Sequence, residues 1–173
     1  PLSGQERRCY QLFCRLCGNT IDDDGYLLVC PRHSEPALLT TRYAHQQLTI
    51  DSSLPGFFRY HQWLPLGNDI TGLRTVGRPI TYHCQLLGPV FGLPNLWLSF
   101  NGYWPEKQAI LETATFKELE AYAVLARIAR YPTREEPVLV VSSAGNTAAA
   151  FAHVCSHLHI PCLIIMPESG LHC

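Results

Sequence analysis

Apolar side chains recur at nearly every helical angle between Phe116 and Ala129. Phe116, Leu119, Tyr122 and Ala126 run along one side, and Ala121, Val124, Leu125 and Ile128 along another. That pattern predicts a helix buried over most of its surface. Thr115, with Glu118 three residues later, forms a capping box that makes Phe116 the first helical residue. Val138, Leu139, Val140 and Val141 form a short apolar run that reads as a buried parallel strand, and 161–165 reads as a second strand. Between them come the small and polar residues of 142–147, Ser-Ser-Ala-Gly-Asn-Thr, and a helix predicted over 148–158. Strand, turn, helix and strand make a right-handed βαβ unit. Its ligand position is the carboxyl end of the first strand, where the 142–147 turn aims backbone N–H groups at an anion.

The first half is less regular. Segments 79–84 and 96–100 read as strands, and 38–43 as a short extended stretch. Gly88, Pro89 and Gly92 leave 86–93 too broken to assign. The aromatic stretch 56–65 ends at Pro65, and its rings are core or interface residues. Segment 67–77 reads as loop, with Arg74 and Arg78 available to an anion. Asn101-Gly102 signals a turn, followed by a loop over 103–107 ahead of the lysine helix. Lys107 in that loop is either a solvent lysine or a contact for an anionic substrate.

Composition narrows the classes. With 173 residues, 47% of them apolar, there is material for one domain, or one domain and a small module. Charged residues make up 16% and the net charge is −1, which gives no footing for a nucleic-acid partner. There is no run of eighteen apolar residues for a membrane span, and the first residues carry no apolar signal segment. The expected location is the cytoplasm, with reduced cysteines. Cys84, Cys155, Cys162 and Cys173 sit among apolar or helical neighbours and read as buried thiols.

Three cysteines stand apart from those four. Cys14-Arg-Leu-Cys17-Gly is followed by Cys30-Pro-Arg-His33, two pairs with two residues inside each. The Asp-Asp-Asp-Gly turn at 22–25 lets the two knuckles meet. This is the spacing of a zinc ribbon with ligands Cys14, Cys17, Cys30 and His33; the alternative is a ribbon that has kept its packing and lost its metal. The aspartates at the ribbon tip, with no basic cluster, argue against nucleic-acid binding.

Lys117 is the second candidate. It falls in the first turn of the helix, at the positive end of the dipole, where an ammonium is disfavoured. Burial and the dipole would both lower its pKa, and a neutral lysine condenses with carbonyls. Alternatively the side chain snorkels outward to water. Other chemistries fail on their own spacing. His153 and His157 are four apart, but Val154 stands where a zinc-protease motif needs glutamate. Ser142 and Ser143 lack the glycines of a nucleophile elbow. Neither a P-loop nor a Gly-x-Gly-x-x-Gly fingerprint occurs.

Thr-Phe-Lys-Glu-Leu-Glu-Ala-Tyr at 115–122 and Ser-Ser-Ala-Gly-Asn-Thr-Ala at 142–148 together resemble the fold-type II pyridoxal-phosphate enzymes, which include threonine synthase and cysteine synthase. Phe-Asn-Gly-Tyr-Trp-Pro-Glu-Lys at 100–107 and Ile-Pro-Cys-Leu-Ile-Ile at 160–165 look like the cysteate synthases, an offshoot of the threonine synthases. Threonine synthases usually read Ser-Phe-Lys-Asp at the lysine, so Thr-Phe-Lys-Glu favours the cysteate synthase branch. The resemblance runs from about Cys14 to the last residue.

The resemblance implies an incomplete fold-type II (tryptophan synthase β-like) α/β domain behind a zinc-ribbon-like module. Expected divisions are 1–36 for the ribbon, 37–78 for a connecting arm and 79–173 for the catalytic part. It implies that Lys117 holds pyridoxal 5'-phosphate, that Asn146 bonds the ring 3-oxygen, and that Ser143, Gly145 and Thr147 take the substrate carboxylate. Asn146 as a plain helix cap is compatible with that role. The implied reaction is O-phosphoserine plus sulfite to cysteate plus phosphate, which in archaea feeds coenzyme M synthesis. Threonine synthase, and a module without catalysis, are the other readings. The phosphate-binding glycine loop and the hydroxyl facing the ring nitrogen are not in this sequence. The chain is therefore expected to be the N-terminal portion of a longer enzyme, a weak cofactor binder and nearly inactive by itself. The expected partner is a small amino acid, with no nucleic acid and no membrane, and a homo-oligomer of the full-length enzyme is compatible with this.

Overall fold

The computed structural model describes residues 9–66, 77–128 and 138–172. In chain order the first elements are β1 (Tyr10–Cys14), β2 (Thr20–Ile21), β3 (Leu39–Tyr43), β4 (Ile80–His83), α1 (Leu87–Val90) and β5 (Trp97–Phe100). There follow β6 (Tyr103–Trp104), β7 (Ala109–Ile110), α2 (Lys117–Ile128), β8 (Leu139–Ser142), α3 (Asn146–His157) and β9 (Cys162–Ile165). Helix and strand are mixed, in two compact units. One comprises Pro1–Thr75 and Tyr122–Glu136, the other Val76–Ala121 and Pro137–Cys173. Arg74 and Cys173 lie outside the described residues.

In the first unit β1 is the centre of an antiparallel sheet, ordered β2-β1-β3. Tyr10 faces Tyr43 and Cys14 faces Leu39 across the β1–β3 ladder. Tyr10, Leu12 and Cys14 are buried while Gln11 is exposed, the period-two alternation of a strand with one wet face. Residues 56–63 form a 3-10 helix (Gly56–Trp63) around a fully buried Phe58. Trp63 stacks on Tyr43 with ring centroids 5.8 Å apart.

In the second unit β4 and β5 pair antiparallel, the two-residue strands β6 and β7 pair antiparallel across the 105–108 turn, and β8 and β9 pair parallel. Helix α3 joins β8 to β9 and packs on both, burying Ala148, Ala150, Phe151, Val154 and Cys155. Burial is the main reason the Cys155 thiol is pushed up to about 12, and neighbouring Cys162 adds to it. The hairpin β6–β7 and the single-turn α1 lie where the sequence showed only a loop and a broken stretch.

Two expectations about burial do not hold. Strand β8 is not buried on both sides: Val140 is more than half exposed, as are Leu163 and Ile165 of its partner β9. Only the face under α3 is covered. Nor is α2 buried all round. Its buried positions are Glu118, Ala121, Tyr122, Leu125 and Ala126, one stripe at helical spacing, while Val124 and the preceding Phe116 are exposed. The helix also begins one residue later than the capping box suggests, at Lys117.

Candidate active site and metal centre

The two cysteine pairs converge. Strand β1 ends at Cys14, and the chain then turns back. The Gly18 N–H donates to the Cys14 carbonyl at 2.9 Å, and the Cys14 N–H to the Asn19 carbonyl at 2.9 Å. Gly18 has φ +70 with open space around it, the left-handed corner that this turn needs. Opposite, the Cys30 N–H donates to the Ala37 carbonyl at 2.8 Å and an isolated bridge joins Val29 to Leu38. The ligand atoms of Cys14, Cys17, Cys30 and His33 all lie within 4.8 Å of one another.

Their spacing fits one tetrahedral ion. Bonds of about 2.3 Å to sulfur and 2.0 Å to nitrogen put two sulfurs about 3.8 Å apart, and a sulfur and a nitrogen about 3.5 Å apart. Cys17 Sγ and Cys30 Sγ are 3.8 Å apart, and Cys14 Sγ and His33 Nε2 3.5 Å. The Cys17 N–H is the main donor to the Cys14 sulfur, with help from the Leu16 N–H. Against the opposing effect of burial, they lower its pKa to about 6. These contacts favour the Cys14 thiolate, the form that binds metal. The cluster can hold a zinc ion, and its chemistry is that of a closed structural site.

The lysine candidate sits on a different frame. Thr115 Oγ1 accepts the Lys117 N–H at 3.3 Å, so Thr115 does cap α2. Glu118 does not close the box on Thr115. It is buried, and its Oε2 reaches back to Thr113, accepting the N–H at 2.9 Å and the hydroxyl at 3.0 Å. Lys117 itself is about a third exposed. Its amine lies 2.6 Å from Glu120 Oε2, and 5.2 Å from the centroid of the Phe116 ring. Among the described residues it makes no hydrogen bond to the 142–147 turn. The outward, solvent-facing course of the side chain is the one seen here.

Ser143, Gly145, Asn146 and Thr147 fall together at the start of α3. The Ser143 N–H is used by the Ile165 carbonyl at 3.0 Å, and Ser143 Oγ accepts the Gly145 N–H at 3.3 Å. Gly145 is the N-cap of α3 and supplies no side-chain bond to the first turn. Space around Gly145 is open, and Asn146 is exposed. An uncapped N-terminus beside an open glycine is a fitting seat for a carboxylate or another anionic group.

Other candidates are otherwise engaged. Arg78 Nε donates to the Gln108 carbonyl at 2.8 Å. Lys107 is exposed, with its amine 5.9 Å from the centroid of Trp104. His153 faces Glu112 at 3.5 Å and stacks on His157. The sequence reading missed two features, the reach of Glu118 to Thr113 and the burial of Asp23 at what looked like a solvent-facing tip.

Comparison with known proteins bears on the site as a whole. No family model matches the chain, and no solved structure does. Curated relatives do. The chain is 43% identical over 162 residues to the cysteate synthase of Methanosphaerula palustris, covering 94% of this chain and 36% of that protein. It is 40% identical over 161 residues to that of Methanocorpusculum labreanum, covering 93% and 37%. To that of Methanosarcina acetivorans it is 36% identical over 160 residues, covering 92% and 36%. Matches of this length leave only about a dozen terminal residues outside, so they take in both Lys117 and the 142–147 turn. The chain is similar to the cysteate synthases along nearly all of its own length and spans a little over a third of theirs.

Proposed function

We propose that this chain supplies the cofactor-holding lysine and the carboxylate-binding turn of a pyridoxal-phosphate-dependent synthase that converts O-phosphoserine and sulfite to cysteate and phosphate. The observation that carries this reading is the 36–43% identity to cysteate synthases along nearly the whole chain. The fold behind it is the fold-type II arrangement, with the ribbon over 1–36, the arm over 37–78 and the catalytic part over 79–173.

Pyridoxal 5'-phosphate, when bound, supplies an electron sink for charge that develops at the substrate α-carbon. Lys117 would hold the cofactor through its amine, and the same amine would take up and return the substrate α-proton. The α3 N-terminus with Ser143, Gly145 and Thr147 binds the substrate carboxylate, and Asn146 orients the cofactor ring through its 3-oxygen. At the β-carbon the bond to the phosphate oxygen breaks, phosphate leaves with the bonding pair, the sulfite sulfur lone pair forms the new bond, and a proton returns to the α-carbon. The ribbon, loaded with zinc at Cys14, Cys17, Cys30 and His33, serves structure and not chemistry.

One observation favours the non-catalytic reading for this stretch by itself: the Lys117 amine is paired with Glu120 at the surface. A single experiment separates the readings. The protein that carries this chain is incubated with pyridoxal 5'-phosphate, reduced with borohydride and digested. The cofactor should be found covalently on Lys117 and be lost in Lys117→Ala. Absence of label on Lys117 would leave the interaction module standing. Product analysis with phosphoserine plus sulfite, against phosphohomoserine alone, then separates cysteate synthase from threonine synthase.

A further inference from the structure

We propose that Glu118 is the positioning residue of the lysine turn, holding the backbone on either side of Lys117 in the one arrangement from which its amine reaches the cofactor. The inference rests on the reading of Lys117 given above and adds to it a residue and a mechanism.

The turn ahead of α2 is bent unusually. Ala114 has φ 54, a left-handed conformation that a residue with a Cβ rarely takes. Such a conformation persists only where its surroundings over-determine it. Here they do so at both ends. The Ala114 N–H donates to the Leu111 carbonyl at 3.1 Å, and Thr113 donates its N–H and its hydroxyl to one oxygen of Glu118. A ring therefore closes from Thr113 through Ala114, Thr115, Phe116 and Lys117 to Glu118. Lys117 is a member of that ring, and its own N–H is bound to Thr115 Oγ1.

An ordinary capping box would close on the N-cap residue. This one closes two residues earlier and so encloses the strained corner. The second oxygen of Glu118 is also tightly bounded. A Cβ at Gly77 would stand 2.6 Å from Glu118 Oε1 and 2.6 Å from the Ile110 carbonyl, so only glycine fits there. Glu118 is 1% exposed, and among the described residues no lysine or arginine pairs with it. A buried carboxylate is costly unless its hydrogen bonds are made, and here those bonds serve the turn that carries Lys117. The amine itself, on its flexible stem, is free to leave Glu120. What Glu118 fixes is the direction from which that stem departs.

The test uses the protein that carries this chain, in wild-type form and as Glu118→Ala, Glu118→Gln and Glu118→Asp. Without cofactor, amide hydrogen exchange at Thr113 should quicken about tenfold in Glu118→Ala, while the amides of α3 keep their protection. With pyridoxal 5'-phosphate and borohydride, label on Lys117 should fall roughly tenfold or more in the same variant. Glu118→Gln keeps an oxygen that accepts from Thr113 and should restore both readouts. Glu118→Asp, one methylene shorter, should behave as Glu118→Ala. Label equal to wild type in Glu118→Ala overturns the proposal and spares the lysine reading. Loss of label in Glu118→Gln as large as in Glu118→Ala, despite normal Thr113 protection, also overturns it. Wild-type protein that takes no label on Lys117 overturns the lysine reading, and the proposal falls with it.

Discussion

Arg127 grips Asp23 through two bonds, Nε to Oδ2 and a terminal nitrogen to Oδ1, each 2.9 Å long. The Tyr10 hydroxyl also donates to Asp23, and Arg127 donates to the Leu27 carbonyl at 2.9 Å. Bidentate pairing of this kind is the strong form of the interaction. The Asp23 side chain is fully buried and that of Arg127 mostly so. Burial alone would raise the Asp23 pKa. The guanidinium, the Tyr10 hydroxyl and the Gly25 N–H outweigh it and bring the pKa down to about 2 from an ordinary 3.8. The folded pKa thus lies below the unfolded one. Its stabilising effect is complete above the unfolded pKa and is lost as pH falls from about 4 through about 2. At neutral pH it is worth about 2 kcal/mol. Urea midpoints measured at pH 7, 4 and 2.5 should fall across the last interval. In Asp23→Ala the acid dependence should shrink and stability at pH 7 should drop by roughly 3 kcal/mol, because Arg127 is left without its carboxylate. An unchanged acid slope in that variant would contradict this account.

Metal should act on the same unit. With zinc present at about a thousand times its Kd, binding to the folded state alone stabilises by about 4 kcal/mol. One equivalent of zinc per chain is expected by elemental analysis, and a chelator should lower the thermal midpoint. Cys30→Ser should abolish both the metal and the chelator effect. Cobalt substitution should give the absorption of a tetrahedral thiolate site. Full stability after complete metal removal would point instead to a ribbon held by packing alone.

Much of this was legible in the sequence because it rests on local rules. The Cys-x-x-Cys-Gly knuckle needs only its own turn, and Cys14, Cys17, Cys30 and His33 meet as the spacing predicts. Strands β8 and β9 and helix α3 follow from short apolar runs flanking a small polar turn. What was hidden depends on contacts far apart in the chain. Asp23 and Arg127 are 104 residues apart, and nothing near Asp23 distinguishes it from its neighbours Asp22 and Asp24. Glu118 looked like half of a capping box, and only the left-handed Ala114 redirects it to Thr113. The apolar angles of α2 were read as burial all round, whereas its buried face is a single stripe.

The Lys117–Glu120 pair separates a parked amine from a working one. The pair is exposed and three residues apart on one helix, the class of ion pair worth about 0–1 kcal/mol. We therefore expect Glu120→Ala to alter cofactor affinity by less than about fivefold, with thermal stability within about 0.5 kcal/mol of wild type. Absorbance titration with pyridoxal 5'-phosphate measures the first and thermal melting the second. A much larger loss of affinity would mean that the carboxylate takes part in the site and is not a resting place for the lysine.

The bare side of the parallel pair leads to the last expectation. Parallel strands are normally covered on both faces, because their connections place helices there. Here α3 covers one face, while Val140, Leu163 and Ile165 are 56%, 52% and 51% exposed on the other. The relatives are nearly three times as long, so a further layer over this face is consistent with the match. The 173-residue chain by itself should then bind an apolar dye or self-associate. Leu163→Thr with Ile165→Thr should reduce that binding while changing stability by no more than about 0.5 kcal/mol per site, the usual effect of a surface substitution. The same pair of substitutions in a protein of the relatives' length should cost about 2 kcal/mol or more, since each would bury a hydroxyl in an apolar layer. Equal and small costs in both proteins would mean that the face stays open to water in the whole molecule.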